Sequence, residues 1–181
     1  MPATLAQRRE DLSTRILDAG AARRAADDNG LIERFIRAFY AHMPPDDVAL
    51  ETPADLFGAA MAMFKLANGR RDPAPLVRAY APNIEDDGWA SSRTVVEIVT
   101  DDMPFLVDSL RGALNARDLA VHLTIHPIMR LKRDPEGAIV DVRSHAEASA
   151  SQDGFASESL LQLRATDVSA AGALNDIAQD L

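Results

Sequence analysis

Two hydrophobic periods divide this chain. From Leu5 to Ala67 apolar residues recur every three or four positions, and from Arg93 onward they alternate. The first period predicts three helices. Leu5 to Ala26 is rich in Ala and Arg, with a loose stripe at Leu5, Leu12, Ile16 and Ala19, and Asp28-Asn29-Gly30 breaks it. The second helix has a sharper face, Leu31, Ile32, Phe35, Ile36, Phe39, Tyr40 and Met43, and Met43-Pro44-Pro45 ends it because proline removes a donor and clashes with the preceding turn. The third is marked at both ends. Thr52 is placed to cap it, Pro53 opens its first turn, Asp55 follows, and Asn68-Gly69 closes it. Leu56, Phe57, Ala60, Met61, Phe64 and Ala67 form its buried face. The stripes Phe35, Phe39, Met61, Met63 and Phe64 read as a core between two packed helices rather than as a cofactor pocket.

Arg70 to Pro75 reads as a turn-rich link, Leu76 to Tyr80 as a short strand, and Pro82 to Ser92 as a polar loop holding Trp89. Thr94 to Thr100 is a strand, followed by an acidic turn and a helix from about Pro104 to Arg117 with Leu106, Leu110, Ala113 and Leu114 on one side. Leu119 to Lys132 alternates: Val121, Leu123, Ile125, Met129 and Leu131 point one way, His122, Thr124, His126 and Arg130 the other. Pro127 interrupts it and predicts an edge or a bulge. Asp134-Pro135-Glu136-Gly137 is a turn that returns Ala138 to Arg143 as a hairpin. Ser144 to Glu158 reads as a loop and Leu160 to Ala165 as a strand. Asp167 or Ser169 then caps a last helix carrying Ala171, Leu174, Ile177 and Leu181. Strand, helix, strand, strand, helix lacks the fourth strand of a ferredoxin-like sandwich. The expectation is an amino-terminal piece of a longer protein whose last strand is missing by truncation, leaving a sheet edge open.

Composition narrows the function. The 181 residues suffice for one domain, or for a small helical domain beside an α/β one. A net charge of −9 argues against a nucleic-acid or anionic-membrane surface. Absence of cysteine excludes a disulfide framework, a thiolate nucleophile and a Cys-based zinc site. Of the 19 basic residues only Lys65 and Lys132 are lysines, and neither stands where an activated amine is suggested. No glycine-rich dinucleotide fingerprint follows a strand and no phosphate-binding loop motif occurs. With no signal-like or membrane-length apolar run, the chain reads as soluble and cytoplasmic.

The string VVEIVTDDMPFLVDSLRGALNARDLAVHLTIHPIMRLKRD, with LIERFIRAFYAHMPPDDVA and DLFGAAMAMFKLANGRRDPAPLVRAYAP before it, resembles the amino-terminal region of the large bacterial NAD-specific glutamate dehydrogenases. The likeness runs from about Leu31 to Leu131, with ESLLQLRAT as a weaker echo. It implies an α+β chain: a helical region over residues 1–90, then an ACT-like, ferredoxin-like α/β sandwich with an antiparallel sheet over 91–181. In that family this part is non-catalytic. ACT modules elsewhere bind amino acids and mediate oligomer contacts, and the dehydrogenase domain with its NAD site and catalytic lysine lies further along. The parent would convert glutamate, NAD and water to 2-oxoglutarate, ammonia and NADH. The resemblance therefore implies a regulatory and assembly segment, inactive by itself and without a cofactor of its own. Its partners would be the rest of the parent chain, other subunits and an amino-acid effector. The alternative is a stand-alone sensing module for a small molecule, acting through a partner.

Candidate site residues follow. ACT modules commonly carry a D-x-P-G-L turn whose exposed amides, helped by the helix dipole, receive a ligand carboxylate. Here Asp101, Asp102, Met103, Pro104 and Phe105 occupy the turn, with Phe105 in the glycine position, where close approach and positive φ are needed. One reading makes Asp101 and Asp102 helix caps and packs Phe105 in the core; the other makes the turn a ligand or interface site. His122 and His126 share a strand face about 13 Å apart, too far for one metal ion without a bulge at Pro127, with Asp141, His145 and Glu147 as further ligands. They otherwise read as polar residues on a solvent-facing or subunit-facing surface, with a pH-sensitive contact as the functional version. Asp101, Asp102 and Asp108 lack the basic or nucleophilic companion that acid–base catalysis needs.

Overall fold

The computed structural model of the chain describes residues 3–23, 29–144, 154–168 and 171–180. Helix α1, Leu5–Ala19, starts at a reciprocal cap: Gln7 N–H donates to Thr4 Oγ1 at 3.2 Å and Thr4 N–H to Gln7 Oε1 at 2.8 Å. It stops well short of Ala26, at Gly20, which lies under the Phe57 ring, where a Cβ would sit 2.0 Å from the ring edge; among the described residues a 3-10 turn, Ala21–Arg23, follows. Helix α2, Leu31–Phe39, also ends before its predicted limit. Tyr40 is buried and donates its hydroxyl to Leu56 O at 2.7 Å, and turns carry the chain on to the buried Met43. Helix α3, Pro53–Asn68, follows its sequence signals, with Thr52 Oγ1 accepting from Asp55 N–H at 3.1 Å. The rings of Phe35 and Phe64 meet edge to face at 5.0 Å, joining α2 to α3.

The second half supplies most of an antiparallel sheet. Its strands are β1 (Leu76–Tyr80), β2 (Thr94–Asp101), β3 (Val121–Ile125), β4 (Ile128–Arg133), β5 (Ile139–Ser144) and β6 (Phe155–Ala165), and its order is β1-β2-β6-β4-β5 with β3 also on β6. Strand β6 is long enough for two partners on one edge: Phe155 to Ser159 pair with β4, and Gln162 to Ala165 pair with β3. The break between them is at His126-Pro127. There Pro127 neither bulges a continuous strand nor marks an outer edge; it separates two strands, and its carbonyl accepts from Leu160 N–H at 3.1 Å.

Strand β1 lies antiparallel beside β2, with Leu76 opposite Val99 and Tyr80 opposite Val95. This is the place that the fourth strand of a ferredoxin-like sandwich takes. The edge expected to be left open by a missing last strand is therefore occupied, from upstream rather than downstream. Helix α6, Ala171–Asp180, packs against β1. Ser169 and Leu181, expected at the ends of that helix, lie outside the described residues.

Helices cover both sheet faces. On one face Ile36, Phe39, Leu56 and Met63 of the helical layer share a hydrophobic cluster with Val99, Ile125, Met129, Leu131 and Leu160, so helical and sheet parts have a common core. On the other, α5 (Leu106–Asn115) and α6 cover Val96, Ile98, Leu161 and Leu163. Full burial of one such side chain stabilises by about 1.5–3 kcal/mol. A register shift between Val121 and Leu123 divides the predicted alternation: Val121 joins the α5–α6 cluster, whereas Leu123 and Ile125 turn to the helical layer. Trp89 does not sit in a polar loop either. A four-residue helix, α4 (Ile84–Asp87), precedes it, and Trp89 is fully buried against Gly58 of α3.

That contact yields a test. A Cβ on Gly58 would lie 2.3 Å from Trp89 Cβ. At an exposed helix position Gly→Ala stabilises by about 1 kcal/mol. Here Gly58→Ala is expected to destabilise by roughly 1–3 kcal/mol through overpacking, measured by urea unfolding. A gain in stability would contradict the packing.

Candidate functional site

The β2–α5 turn is held from both sides by the two carboxylates that precede it. Asp101 Oδ1 accepts from Arg70 Nη2 at 2.9 Å, and Arg70 is only 5% exposed. Arg70 also reaches Glu158 of β6 at 3.1 Å and donates to Pro73 O and Ala74 O. Glu158 is in turn gripped by Arg133, whose Nε and Nη2 donate to its two oxygens at 2.9 Å each, while Arg133 Nη1 donates to Ala67 O and Gly137 O. These groups line a cavity of about 510 Å³ with Arg71, Asp134 and Glu136 at its rim. All three nitrogens of Arg133 donate to protein acceptors, so this charged cleft works as a clamp joining β2, β6, the β4–β5 hairpin and the end of α3.

Asp102 turns the other way. Its Oδ1 accepts from the hydroxyl of the buried Ser159 at 2.8 Å, and Ser159 Oγ lies 3.4 Å from His126 Nε2. Burial pushes the His126 imidazole below its ordinary pKa, and the charge of Asp102 opposes that shift. His126 also borders a cavity of about 200 Å³ with His42, Asp47 and Met43. The structure thus brings Asp102 and His126 together through a serine that the sequence reading did not single out.

Neither aspartate caps α5. Its cap position is Phe105, at φ +63° and ψ +8°, with no side-chain hydrogen bond to the helix. Nor is Phe105 in the core: it is 77% exposed, and Met103 is 47% exposed. The reason lies in partners distant along the chain. Asp101 and Asp102 are drawn to Arg70 and Ser159, and between these anchors and α5 the chain turns through the left-handed Phe105. Phe105 adopts the conformation that a glycine would take, at a strain of about 1–2 kcal/mol, and its ring points outward.

The other candidates separate. His122 is exposed at the β3 irregularity. Asp141 accepts from Arg34 Nε of α2 at 3.1 Å, and His145 and Glu147 lie outside the described residues. Among the described residues no group of three or more His, Asp or Glu side chains is placed to hold a metal ion. Asp108 is exposed on α5.

Sequence reasoning also missed a polar seam beneath α3. Glu97, fully buried on β2, accepts from Arg78, from the Tyr80 hydroxyl at 3.3 Å and from Gln162 Nε2 at 2.9 Å. Burial raises the Glu97 carboxyl above its usual range, opposed by Arg78. Arg164 is in ion-pair contact with Glu51, off the line of a hydrogen bond, and faces the Trp89 ring at 5.5 Å. A signal existed: Glu97 interrupts VVEIV, and Glu158, Gln162 and Arg164 interrupt ESLLQLRA in one phase, so period two places them all on a single face.

The sequence matches the family described as "Glutamate dehydrogenase, ACT1 domain" over residues 35–181. It is 33% identical over 155 residues to a protein of Halomonas elongata named NAD-specific glutamate dehydrogenase, covering 86% of this chain and 9% of that protein. A protein of the same name from Pseudomonas aeruginosa is 31% identical over 108 residues, covering 60% of this chain and 7% of that one. The chain therefore spans less than a tenth of the length of these relatives. No solved structure gives a significant match. No helix among the described residues is long and apolar enough to cross a membrane.

Two tests separate the anchors. Glu158→Ala leaves the buried Arg70 and the half-buried Arg133 without their shared carboxylate and is expected to destabilise by about 3–5 kcal/mol. Asp101→Asn removes the charge of a largely exposed partner, and a change within about 1 kcal/mol is expected. Urea unfolding of both variants checks this contrast, and equal effects would overturn it. His126 supplies a pH dependence. Its folded pKa lies below the ordinary value of 6.5, so its stabilising share is complete above that value and is lost as pH falls through the folded pKa. Between pH 7 and 5 the wild type is expected to lose stability relative to His126→Asn, by no more than about 1.4 kcal/mol per pH unit. Because the buried Glu97 titrates in both proteins, the comparison cancels it; parallel curves would exclude the His126 linkage.

Proposed function

Because this chain belongs to the glutamate dehydrogenase ACT1-domain family, we propose that it is a non-catalytic regulatory and assembly segment of a large NAD-dependent glutamate dehydrogenase. The parent reaction on this reading takes L-glutamate, NAD and water to 2-oxoglutarate, ammonia and NADH, with the NAD site outside these residues. The observation that carries the reading is the match of residues 35–181 to an ACT1 domain, made within relatives more than ten times as long as the matched stretch. The chemistry of the turn supports it. The carboxylates that head α5 are bound to Arg70 and Ser159, and the Ser159 hydroxyl near His126 is fully buried and donates to Asp102 at 2.8 Å, so it is closed to a substrate. The turn presents the apolar Met103 and Phe105 to solvent beside the exposed Asp101 and Asp102. Partners on this reading are the rest of the parent chain and the other subunits, with an amino acid as effector at the head of α5.

Comparing the full-length parent with a form lacking residues 1–181 tests this. The measurements are NAD-dependent glutamate oxidation, its response to a panel of amino acids, and mass by light scattering. Deletion is expected to change the assembly state or the amino-acid response, and residues 1–181 expressed alone are expected to form no NADH. An unchanged mass and unchanged effector response after deletion, or turnover by residues 1–181 alone, would refute the proposal.

A further inference from the structure

We infer that Phe105, with Met103 beside it, is an interface anchor that fills an apolar pocket elsewhere on the parent polypeptide. This rests on the reading of the chain as a segment of a larger enzyme. Three features of the turn point to it.

The first is strain without local compensation. A left-handed conformation at an L-residue is disfavoured because its Cβ crowds the following carbonyl oxygen, and Phe105 holds it at φ +63°. Burial of the ring would offset this, yet the residue is 77% exposed. Glycine at the same position would be unstrained and would expose no ring. Within these residues, then, phenylalanine is the less favourable choice on both counts, and backbone strain of this kind collects at functional sites.

The second feature is rigidity. The turn stands on two fixed points, Asp101 on the nearly buried Arg70 and Asp102 on the fully buried Ser159. Phe105 O also accepts from Ser109 N–H at 3.0 Å as α5 begins. The ring is thereby carried on a stalk whose backbone does not have to be ordered on contact, and such pre-organisation removes part of the entropic cost of association. Aromatic side chains and methionine are the residues enriched in the cores of protein interfaces.

The third is size, which selects the occupant. A stable contact between two free proteins buries about 800 Å² on each partner, and two side chains at a turn fall well short of that. A second copy of this chain docking through the tip alone is therefore excluded as the occupant. A tip this small suffices when partner and tip belong to one polypeptide or one assembled enzyme, because association is then effectively intramolecular. More than nine-tenths of the length of the matched Halomonas relative lies outside the matched stretch.

The test uses the full-length parent enzyme and the variants Phe105→Gly and Met103→Ser, followed by hydrogen–deuterium exchange. Phe105→Gly relieves the strained backbone, so the core of the segment is expected to keep or gain protection. At least one peptide outside residues 1–181 is expected to exchange tenfold faster or more, and Met103→Ser is expected to affect the same peptide more weakly. If Phe105→Gly changes no peptide outside residues 1–181, the inference is overturned. It is equally overturned if protection is lost only inside β2, β6 and α5, since the ring would then serve the segment itself. Deletion of residues 1–181 separates the two proposals: a deletion that alters assembly while Phe105→Gly alters nothing outside the segment leaves the segment reading standing and removes the anchor.

Discussion

Strand β6 is the constraint on which the rest of the structure depends. It pairs along its whole second half with β2, and its other edge holds β4 and then β3. Because helices cover both faces here, every residue from Glu158 to Ala165 is buried, and so is every residue of β2 before Asp101. Such strands lack the alternation of a sheet with one wet face. Their register is set instead by which side chains suit which helical layer. A one-residue slip of β6 would send Leu161 and Leu163 toward α3 and move Gln162 and Arg164 into the apolar layer under α5.

That asymmetry gives the buried polar residues a structural role. Glu97, Gln162 and Arg164 all face α3, where Arg78, Tyr80 and Glu51 meet them. Buried ion pairs often add little net stability over apolar replacements of similar volume, because desolvation offsets the attraction. Their consequence here is selectivity: the face that carries them can stack only on the helical layer that answers them. The clamp of Arg70 and Arg133 on Glu158 does the same at the strand end, and it reaches the β2–α5 turn because Asp101 also accepts from Arg70.

The turn is thus an outgrowth of the core rather than a loop laid over it. Its two aspartates are anchored to buried partners, its backbone is forced left-handed, and the residue at the forced position is an outward-facing phenylalanine. His126 connects to the same point through Ser159, so the kink between β3 and β4 and the head of α5 share one hydrogen-bonded chain. Anchors, strain and exposed ring together describe a rigid presenter of apolar surface.

Much of this was determined by sequence alone. The stripes of α2 and α3, the Thr52 cap, the strand Thr94 to Thr100 (one residue longer in the structure) and the helix after Pro104 depend on contacts within a few residues, and local patterns record those. The family likeness ran from about Leu31 to Leu131, most distinctively between Asp101 and Pro127. The tertiary structure alone decided matters that rest on residues far apart in the chain. Strand β1 takes the place beside β2 that the element order left empty, because antiparallel pairing is indifferent to whether the strand comes from upstream or downstream. The irregularity at Val121–Leu123 sends Val121 to the opposite core, since one added residue reverses a period of two. Asp101 and Asp102, which by sequence are well placed to cap a helix, are taken by Arg70 and Ser159, thirty-one and fifty-seven residues away. That competition left Phe105 to turn the chain by itself, and no local pattern reports a contest settled by partners so distant.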